Sequence, residues 1–229
     1  MGSGRIDTAV FLQARLNSRR LPYKAILPLK GGSILQHAVR SLARIDADLY
    51  LLLTDKRSER FLAPHLYGSP FRIFTGPEDD VLARFCMASR KYSVRTIIRA
   101  TGDNPLVSSA YAMKILKIHR SEMADLSHYL GLPLGTGVEI VESGALYEVE
   151  GSTDDSFERE HLTAYMYRNR ERFKIIEPYP ENSAVFEGAE VSVDTVSDYA
   201  LVSEIFRDLY KGIPIEAEEI VCWLKGNLE

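Results

Sequence analysis

Between Arg15 and Lys24 the sequence sets four cations, Arg15, Arg19, Arg20 and Lys24, within ten residues. They follow a short apolar run, Ala9–Leu12, that reads as a buried strand. They precede Gly31, Gly32 and an amphipathic stretch that Ser33 can cap. So dense a group of cations is an anion trap. Strand, basic loop and helix N-terminus in that order predict a phosphate-binding crevice at the carboxyl end of a parallel sheet. Arginine offers phosphate a fork of donors, and lysine a point charge. The plainer alternative is a solvated charged loop. The loop is not a P-loop, because G-x-x-x-x-G-K-[ST] is absent, and no G-x-G-x-x-G marks a dinucleotide fold of the usual dehydrogenase kind.

Two carboxylates stand where such a crevice needs them. Asp103, in Gly102-Asp103-Asn104-Pro105, and Asp194, in Val191-Ser192-Val193-Asp194-Thr195, each follow an apolar strand-like run. If those runs are neighbours, Asp103 and Asp194 can hold one Mg²⁺ between them, with phosphate oxygens completing its shell. Each can equally be an ordinary helix N-cap. A third cluster, Glu158-Arg159-Glu160-His161-Leu162-Thr163, enters a helical pattern; its plainer reading is a solvated face with His161 as a polar core residue. H-E-x-x-H is absent, which removes a zinc protease, and no Ser/His/Asp order or glycosidase-like carboxylate pair is recognisable.

The elements that must position these residues alternate through the first half. Strands are predicted at Thr8–Gln13, Leu49–Thr54, Phe71–Thr75 and Thr96–Ala100. Helices are predicted at Ser33–Ala43, at Ser58–His65 capped by Ser58, after Gly76-Pro77 with Glu78, Asp79 and Asp80 in its first turn, and at Ser108–Arg120. The second half is less regular. Strands are expected at Ala124–Tyr129, Gly137–Val141, Phe173–Pro178 and Glu190–Val193, and helices at Ser143–Val149, Ser156–Arg170, Ser197–Leu209 and Ala217–Lys225. Strands alternating with helices imply an α/β fold with a mostly parallel, doubly wound sheet. No repeat or linker divides the chain, so residues 1–229 are expected to form one domain with a protruding element at about 130–185.

Composition sets the outer limits. The 229 residues are 45% hydrophobic and 26% charged, ordinary for a globular protein. A net charge of −4 argues against a general nucleic-acid binder and makes the basic loop stand out. Two cysteines, Cys86 and Cys222, give no disulfide framework. The aliphatic run Leu49–Leu53 is too short to span a bilayer, and residues 1–8 lack the apolar segment of a signal peptide, so no membrane partner and a cytoplasmic enzyme are expected.

The loop Ala14-Arg15-Leu16-Asn17-Ser18-Arg19-Arg20-Leu21-Pro22-Tyr23-Lys24 resembles the A-R-x-x-S-x-R-L-P-x-K signature of the sugar cytidylyltransferases, which include CMP-3-deoxy-manno-octulosonate and CMP-sialic acid synthetases. The likeness is closer to the spore-coat polysaccharide cytidylyltransferase-like branch. Gly76–Phe85, Arg99–Leu106, Arg159–Thr163 and Ser192–Thr195 follow in the family's order. The resemblance implies a nucleotide-diphospho-sugar transferase fold, Rossmann-like, with helices on both faces of a mixed sheet and a small protruding element that often makes a homodimer. It implies that CMP passes from CTP to a small anionic acceptor, a sugar acid, in surface polysaccharide biosynthesis. A phosphorylated or phosphonate acceptor, with Arg159 as an extra cation, is the second reading; a non-catalytic nucleotide-binding relative is the third.

By motif match, Arg15, Ser18, Arg20 and Lys24 would hold the triphosphate, and Arg15, Arg20, Lys24 and Asp103 would carry the chemistry. Ala14, Thr54, Asp80, Arg84, Thr101, Gly102 and Asp103 would complete the nucleotide site. Glu139, Arg159, Glu160 and His161 would lie near the acceptor, and Asp103 and Asp194 would hold Mg²⁺. Arg19 is left as surface charge. Two departures stand out. Tyr23 replaces the usual glycine before the signature lysine, which predicts that the backbone there is not left-handed. Gly137 replaces an acidic residue of the element expected near the acceptor.

Overall fold

Strand β1 (Ile6–Gln13) forms where the sequence has its first apolar run, and Ala9–Leu12 are buried on both faces, as central strands of a parallel sheet are. The computed structural model describes residues 5–228 of the chain; residues 1–4 of the N-terminal stretch lie outside the described residues. After β1 come β2 (Pro28–Leu29), β3 (Gly32–Ser33), α1 (Ile34–Leu42), β4 (Leu49–Thr54), α2 (Lys56–Leu62), β5 (Arg72–Thr75), α3 (Val81–Tyr92), β6 (Val94–Thr101) and α4 (Ser109–Glu122). The second half adds β7 (Leu126–Ser127), β8 (Glu139–Glu142), α5 (Ser143–Glu150), α6 (Ser156–Glu160), α7 (Ala164–Arg168), β9 (Ile175–Ile176), α8 (Val196–Leu209) and α9 (Ala217–Leu228).

Seven strands make one sheet in the order β5-β4-β1-β6-β8-β7-β9, and β2 and β3 form a separate two-stranded ribbon. β5, β4, β1 and β6 run parallel; β8 is antiparallel to both neighbours, β6 and β7. The expected mostly parallel mixed sheet is therefore present. The chain winds from β1 outward to β5, then returns to place β6 on the other side of β1. Connections leave in opposite directions there, which opens a crevice at the carboxyl ends of β1 and β6. Gln13 is registered against Thr101, and the Gly102 amide donates to the Gln13 carbonyl at 2.8 Å. The basic loop and the Gly102-Asp103 turn thus leave the sheet side by side.

Helices cover both faces. Val10 and Leu12 pack with Leu35, Leu42 and Ile115 of α1 and α4, while Phe11 and Ile97 pack with Phe85, Leu146, Leu162 and Met166 on the opposite face. A third apolar cluster joins Val191 and Val193 to Val202, Phe206, Ile220 and Leu224 of α8 and α9. It anchors the segment before Asp194 beside the sheet: the Val191 amide donates to the Leu134 carbonyl at 2.8 Å, and the Val193 amide to the Asp103 carbonyl at 3.0 Å.

Several expected elements differ. Glu190–Val193 is extended but is no strand; its pairing is a single parallel bridge, Leu134 to Glu190. β7 and β9 shrink to two residues each because their pairing is confined to Leu126–Ser127. The α2 cap is Asp55, whose carboxylate takes the Arg57 and Ser58 amides; Ser58 is inside the helix and donates its hydroxyl to Asp55 at 2.6 Å. Asp80 caps α3 through the Ala83 amide, so Glu78, Asp79 and Asp80 precede the helix rather than filling its first turn. Ser156–Arg170 is not one helix: it breaks at His161 into α6 and α7. The burying residues are Leu162 and Met166, not Phe157, and the break lets Leu162 reach the core while Thr163 bonds Glu139.

Gly135 has a φ of +103°, and a Cβ there would lie 2.6 Å from the Ser192 backbone nitrogen. Gly135→Ala is expected to cost about 2–3 kcal/mol, read as a lower urea midpoint, because the segment leading to Asp194 must shift. Gly144→Ala on α5 is the control: nothing stands within 4 Å of its new Cβ, and a gain of up to about 1 kcal/mol is expected.

Candidate active site

The basic loop closes on the Leu16 carbonyl, which accepts the Ser18 amide at 3.0 Å and the Tyr23 amide at 3.1 Å. Leu16 itself is buried, and its amide is held by the Ser58 hydroxyl at 3.2 Å. Tyr23 is left-handed, with φ 60° and ψ 16°, against the expectation from its side chain. Its amide bond to Leu16 and the Ile26 amide on its carbonyl at 3.0 Å fix that conformation, at a cost of about 1–2 kcal/mol. The loop therefore turns as a glycine would turn it and delivers Lys24 into the crevice. The α1 N-terminus is not in the lining of the crevice: Ser33 and Gln36 form a capping box that takes up the Ser33 and Gln36 amides, and the Ile34 amide bonds the Leu27 carbonyl.

Lys24 is where the separate parts of the chain meet. Its Nζ lies 2.5 Å from Asp103 Oδ2 and 2.6 Å from Asp194 Oδ1, with the side chain 11% exposed. Burial alone would push the ammonium's pKa down; the charges and hydrogen bonds of Asp103 and Asp194 outweigh it and hold the pKa above the ordinary lysine value. Arg20 reaches the other oxygen of Asp194 at 2.8 Å. The Asp194 backbone is fixed in turn by α8, whose Asp198 carboxylate accepts the Asp194 and Thr195 amides. The two carboxylates thus converge on one point, and a cation occupies it.

Around this point lies a cleft of about 580 Å³ lined by the cations Arg15, Arg19, Arg20, Lys24, Arg84 and Arg99 and by four acids, Asp79, Asp103, Glu160 and Asp194. The surplus of positive charge suits an anionic ligand. Arg15 pairs with Glu160 at 2.6 Å. Arg84 is 2% exposed; its Nη1 donates to the Pro77 carbonyl at 2.7 Å, and burial lowers its pKa. Arg99 pairs with Glu139, which also accepts the hydroxyls of Thr163 and Tyr167. Burial would raise the Glu139 carboxyl; the Arg99 guanidinium and the Tyr167 hydroxyl prevail and hold it below the ordinary range. Among the described residues the buried polar side-chain atoms without partners are on Gln13, Thr54, Arg84, Arg99 and Asn104. Three of those residues line the cleft.

Of the residues expected from the sequence, Ala14, Arg15, Ser18, Arg20, Lys24, Arg84, Thr101, Gly102, Asp103, Glu160, His161 and Asp194 share this cleft. Four stand behind its wall instead. Thr54 is fully buried at the end of β4. Asp80 caps α3 and pairs with Arg159 at 2.7 Å, which leaves Arg159 committed to a carboxylate. Glu139 holds Arg99. His161 lines the cleft but is exposed, its ring tilted against Phe157 with centroids 4.4 Å apart, and is no core residue. The cleft also enlists Gln13, Asn17, Arg19, Asp79 and Arg99. Arg19 is exposed yet faces the cleft rather than being mere surface charge. Gly137 is not in the lining; a Cβ there would meet only Leu132 at 3.6 Å, so packing does not demand a glycine.

The chain is similar to known proteins in sequence and in fold. The sequence model of a family described as "Cytidylyltransferase" matches residues 9–214. The spore coat polysaccharide biosynthesis protein SpsF of Bacillus subtilis is 28% identical over 96% of this chain and 95% of its own. Among solved structures, a cytidylyltransferase from Leptospira borgpetersenii superposes with a TM-score of 0.89 at 22% identity, covering 98% of this chain and 96% of that one. A CMP-2-keto-3-deoxy-manno-octonic acid synthetase solved in complex with CTP superposes with a TM-score of 0.67 at 14% identity, covering 88% and 98%.

Two outcomes are expected. Tyr23 is 54% exposed, so Tyr23→Gly loses little packing while relieving left-handed strain, and Tm should rise slightly rather than fall. Glu139, with its depressed folded pKa, stabilises the protein above its ordinary value and loses that effect as pH falls through the folded value. The urea-midpoint gap between wild type and Glu139→Gln should therefore be widest above pH 4.5, the ordinary carboxyl value, and close below it. At neutral pH the gap is expected to be on the order of 3 kcal/mol.

Proposed function

The chain belongs to the cytidylyltransferase family, and from that premise we propose that it transfers CMP from CTP to an anionic sugar, a sugar acid, with release of pyrophosphate, in surface polysaccharide biosynthesis. The observation that carries the reading is the convergence of Asp103 and Asp194 on the Lys24 ammonium beneath the basic loop. An acceptor oxygen attacks the α-phosphorus and pyrophosphate leaves, so the protein's work is positioning and charge stabilisation. Arg20 and Lys24 meet the charge building on the leaving pyrophosphate, Arg15 meets the α-phosphate, and Ser18 donates to a phosphate oxygen. Ala14, Thr101 and Gly102 form the floor beneath the phosphates. Arg84, with Thr54 and Asp80 behind it, marks the nucleoside side; Glu160 and His161 mark the acceptor side.

The residues also fit a divalent cation. Two carboxylate oxygens, each within 2.6 Å of a common point already held by a cation, are hard donors of the kind Mg²⁺ takes. Asp103 and Asp194 would hold it, and when bound it would neutralise phosphate oxygens. The family resemblance further supports a cytoplasmic homodimer in which the element at about 130–185 serves dimerisation or the acceptor. No helix among the described residues is long and apolar enough to cross a membrane.

The test is a nucleotide-by-acceptor screen for pyrophosphate release. CTP with Mg²⁺ should support turnover and a chelator should abolish it. Lys24→Ala and Asp103→Asn should each lower kcat/KM by about 10²–10³. Full turnover in both variants would refute the assignment.

A further inference from the structure

Two of the partnerless buried atoms are arginine Nε atoms, on Arg84 and Arg99. The two arginines flank the cleft on opposite sides. Arg84 lies on α3 against Gly76 and Pro77, just beyond β5. Arg99 lies on β6 beside β8, its side chain 17% exposed. A buried donor without a partner is unfavourable; the Nε atoms are shut off from solvent, but both side chains line a cleft that a ligand can enter. With the nucleoside assigned to the Arg84 side, Arg99 faces what remains.

Arg99 is not free to turn away. Glu139 stands directly opposite it in the β6–β8 register and holds Nη1. Glu139 is fixed in turn by the Thr163 hydroxyl at 3.1 Å and the Tyr167 hydroxyl at 3.0 Å. The guanidinium is locked at one nitrogen, and its other donors stay uncommitted among the described residues. Thr101 stands on the same side of β6, two residues nearer the strand end. Arg99 therefore lies about 7 Å back along the strand from Thr101, deeper in the cleft.

Charge limits what this flank can take. Arg99 is matched by Glu139, Arg15 by Glu160 and Arg159 by Asp80. A matched guanidinium can hold one carboxylate through its spare hydrogen bonds, but it has no excess charge with which to neutralise a doubly charged phosphomonoester. We infer that Arg99 binds the carboxylate of a monoanionic sugar-acid acceptor, with Glu139 and Tyr167 as its positioning residues. The inference rests on the cytidylyl-transfer reading above, and it disfavours the phosphorylated acceptor.

The experiment is pyrophosphate release at saturating CTP and Mg²⁺. N-acetylneuraminate and 3-deoxy-manno-octulosonate are the carboxylate probes, and glucosamine 1-phosphate is the phosphomonoester probe. CTP binding is measured separately by calorimetry in every variant, which also confirms folding. At least one carboxylate probe should turn over and the phosphomonoester should not. Arg99→Lys should raise the acceptor KM at least tenfold, and Arg99→Met further, with CTP affinity within twofold of wild type. Tyr167→Phe, a milder change, should raise acceptor KM several-fold at nearly constant kcat. An Arg99 variant that keeps the acceptor KM, or weakens CTP and acceptor alike, overturns the inference while leaving cytidylyl transfer standing. So does turnover of the phosphomonoester in preference to the carboxylates, or tight CTP binding with turnover of neither carboxylate. Failure of CTP to bind at all overturns the functional reading itself.

Discussion

Two ionised carboxylates held close together repel unless a cation stands between them, and that constraint organises the site. Asp103 follows the end of a central strand, and Asp194 ends a segment pinned by the third apolar cluster. They meet on Lys24, which comes from a loop a strand away. Each partner is held by more than its charge. The Gly102 amide ties its turn to β1, the Val193 amide ties its segment to the Asp103 carbonyl, and Tyr23 accepts a left-handed backbone so that Lys24 can enter. The strained tyrosine and the crowded Gly135 are therefore parts of one arrangement: both set the chain where the ions must meet.

The outer cleft is built on a different rule. There Arg15, Arg99 and, behind the wall, Arg159 are each matched with an acid from another element, so this flank is nearly neutral yet rich in oriented donors. Among the described residues the lining cations without an acid partner are Arg19 on the loop and Arg84 on α3, and their charge suits an anionic ligand.

Much of this was legible in the sequence. β1, β4, β5 and β6 are short apolar runs bounded by turn residues, and their extents are nearly those expected. The loop and both aspartates were legible because they follow those runs. What could not be read depended on tertiary context. The 3.6-residue spacing of Phe157, His161 and Tyr165 suggests one amphipathic helix, but Leu162 and Met166 do the burying and the helix breaks. Val191 and Val193 look like a strand, yet they are extended because α8 and α9 need them. Arg99, an arginine inside an apolar strand, gave no local sign of facing the cleft; its partner Glu139 lies forty residues on. Asp80 and Arg159 are far apart in the sequence, and their pairing with each other was not legible there.

The Lys24 node spans 79 residues to Asp103 and 170 to Asp194. Its local parts can form early, since β1, the loop and β6 are the work of the first half of the chain. The second carboxylate comes from the last third of the chain, on a segment held by the third apolar cluster, by the Leu134 and Asp103 carbonyls and by the Asp198 cap of α8. In the language of folding kinetics, the node is a long-loop contact whose closure entropy falls due at the end. A chain still emerging from the ribosome, or one cut short before residue 194, can own a nearly complete sheet and a cationic loop and still have no working site. Competence for chemistry therefore depends on the final helices of the chain as much as on the strand on which the loop is mounted.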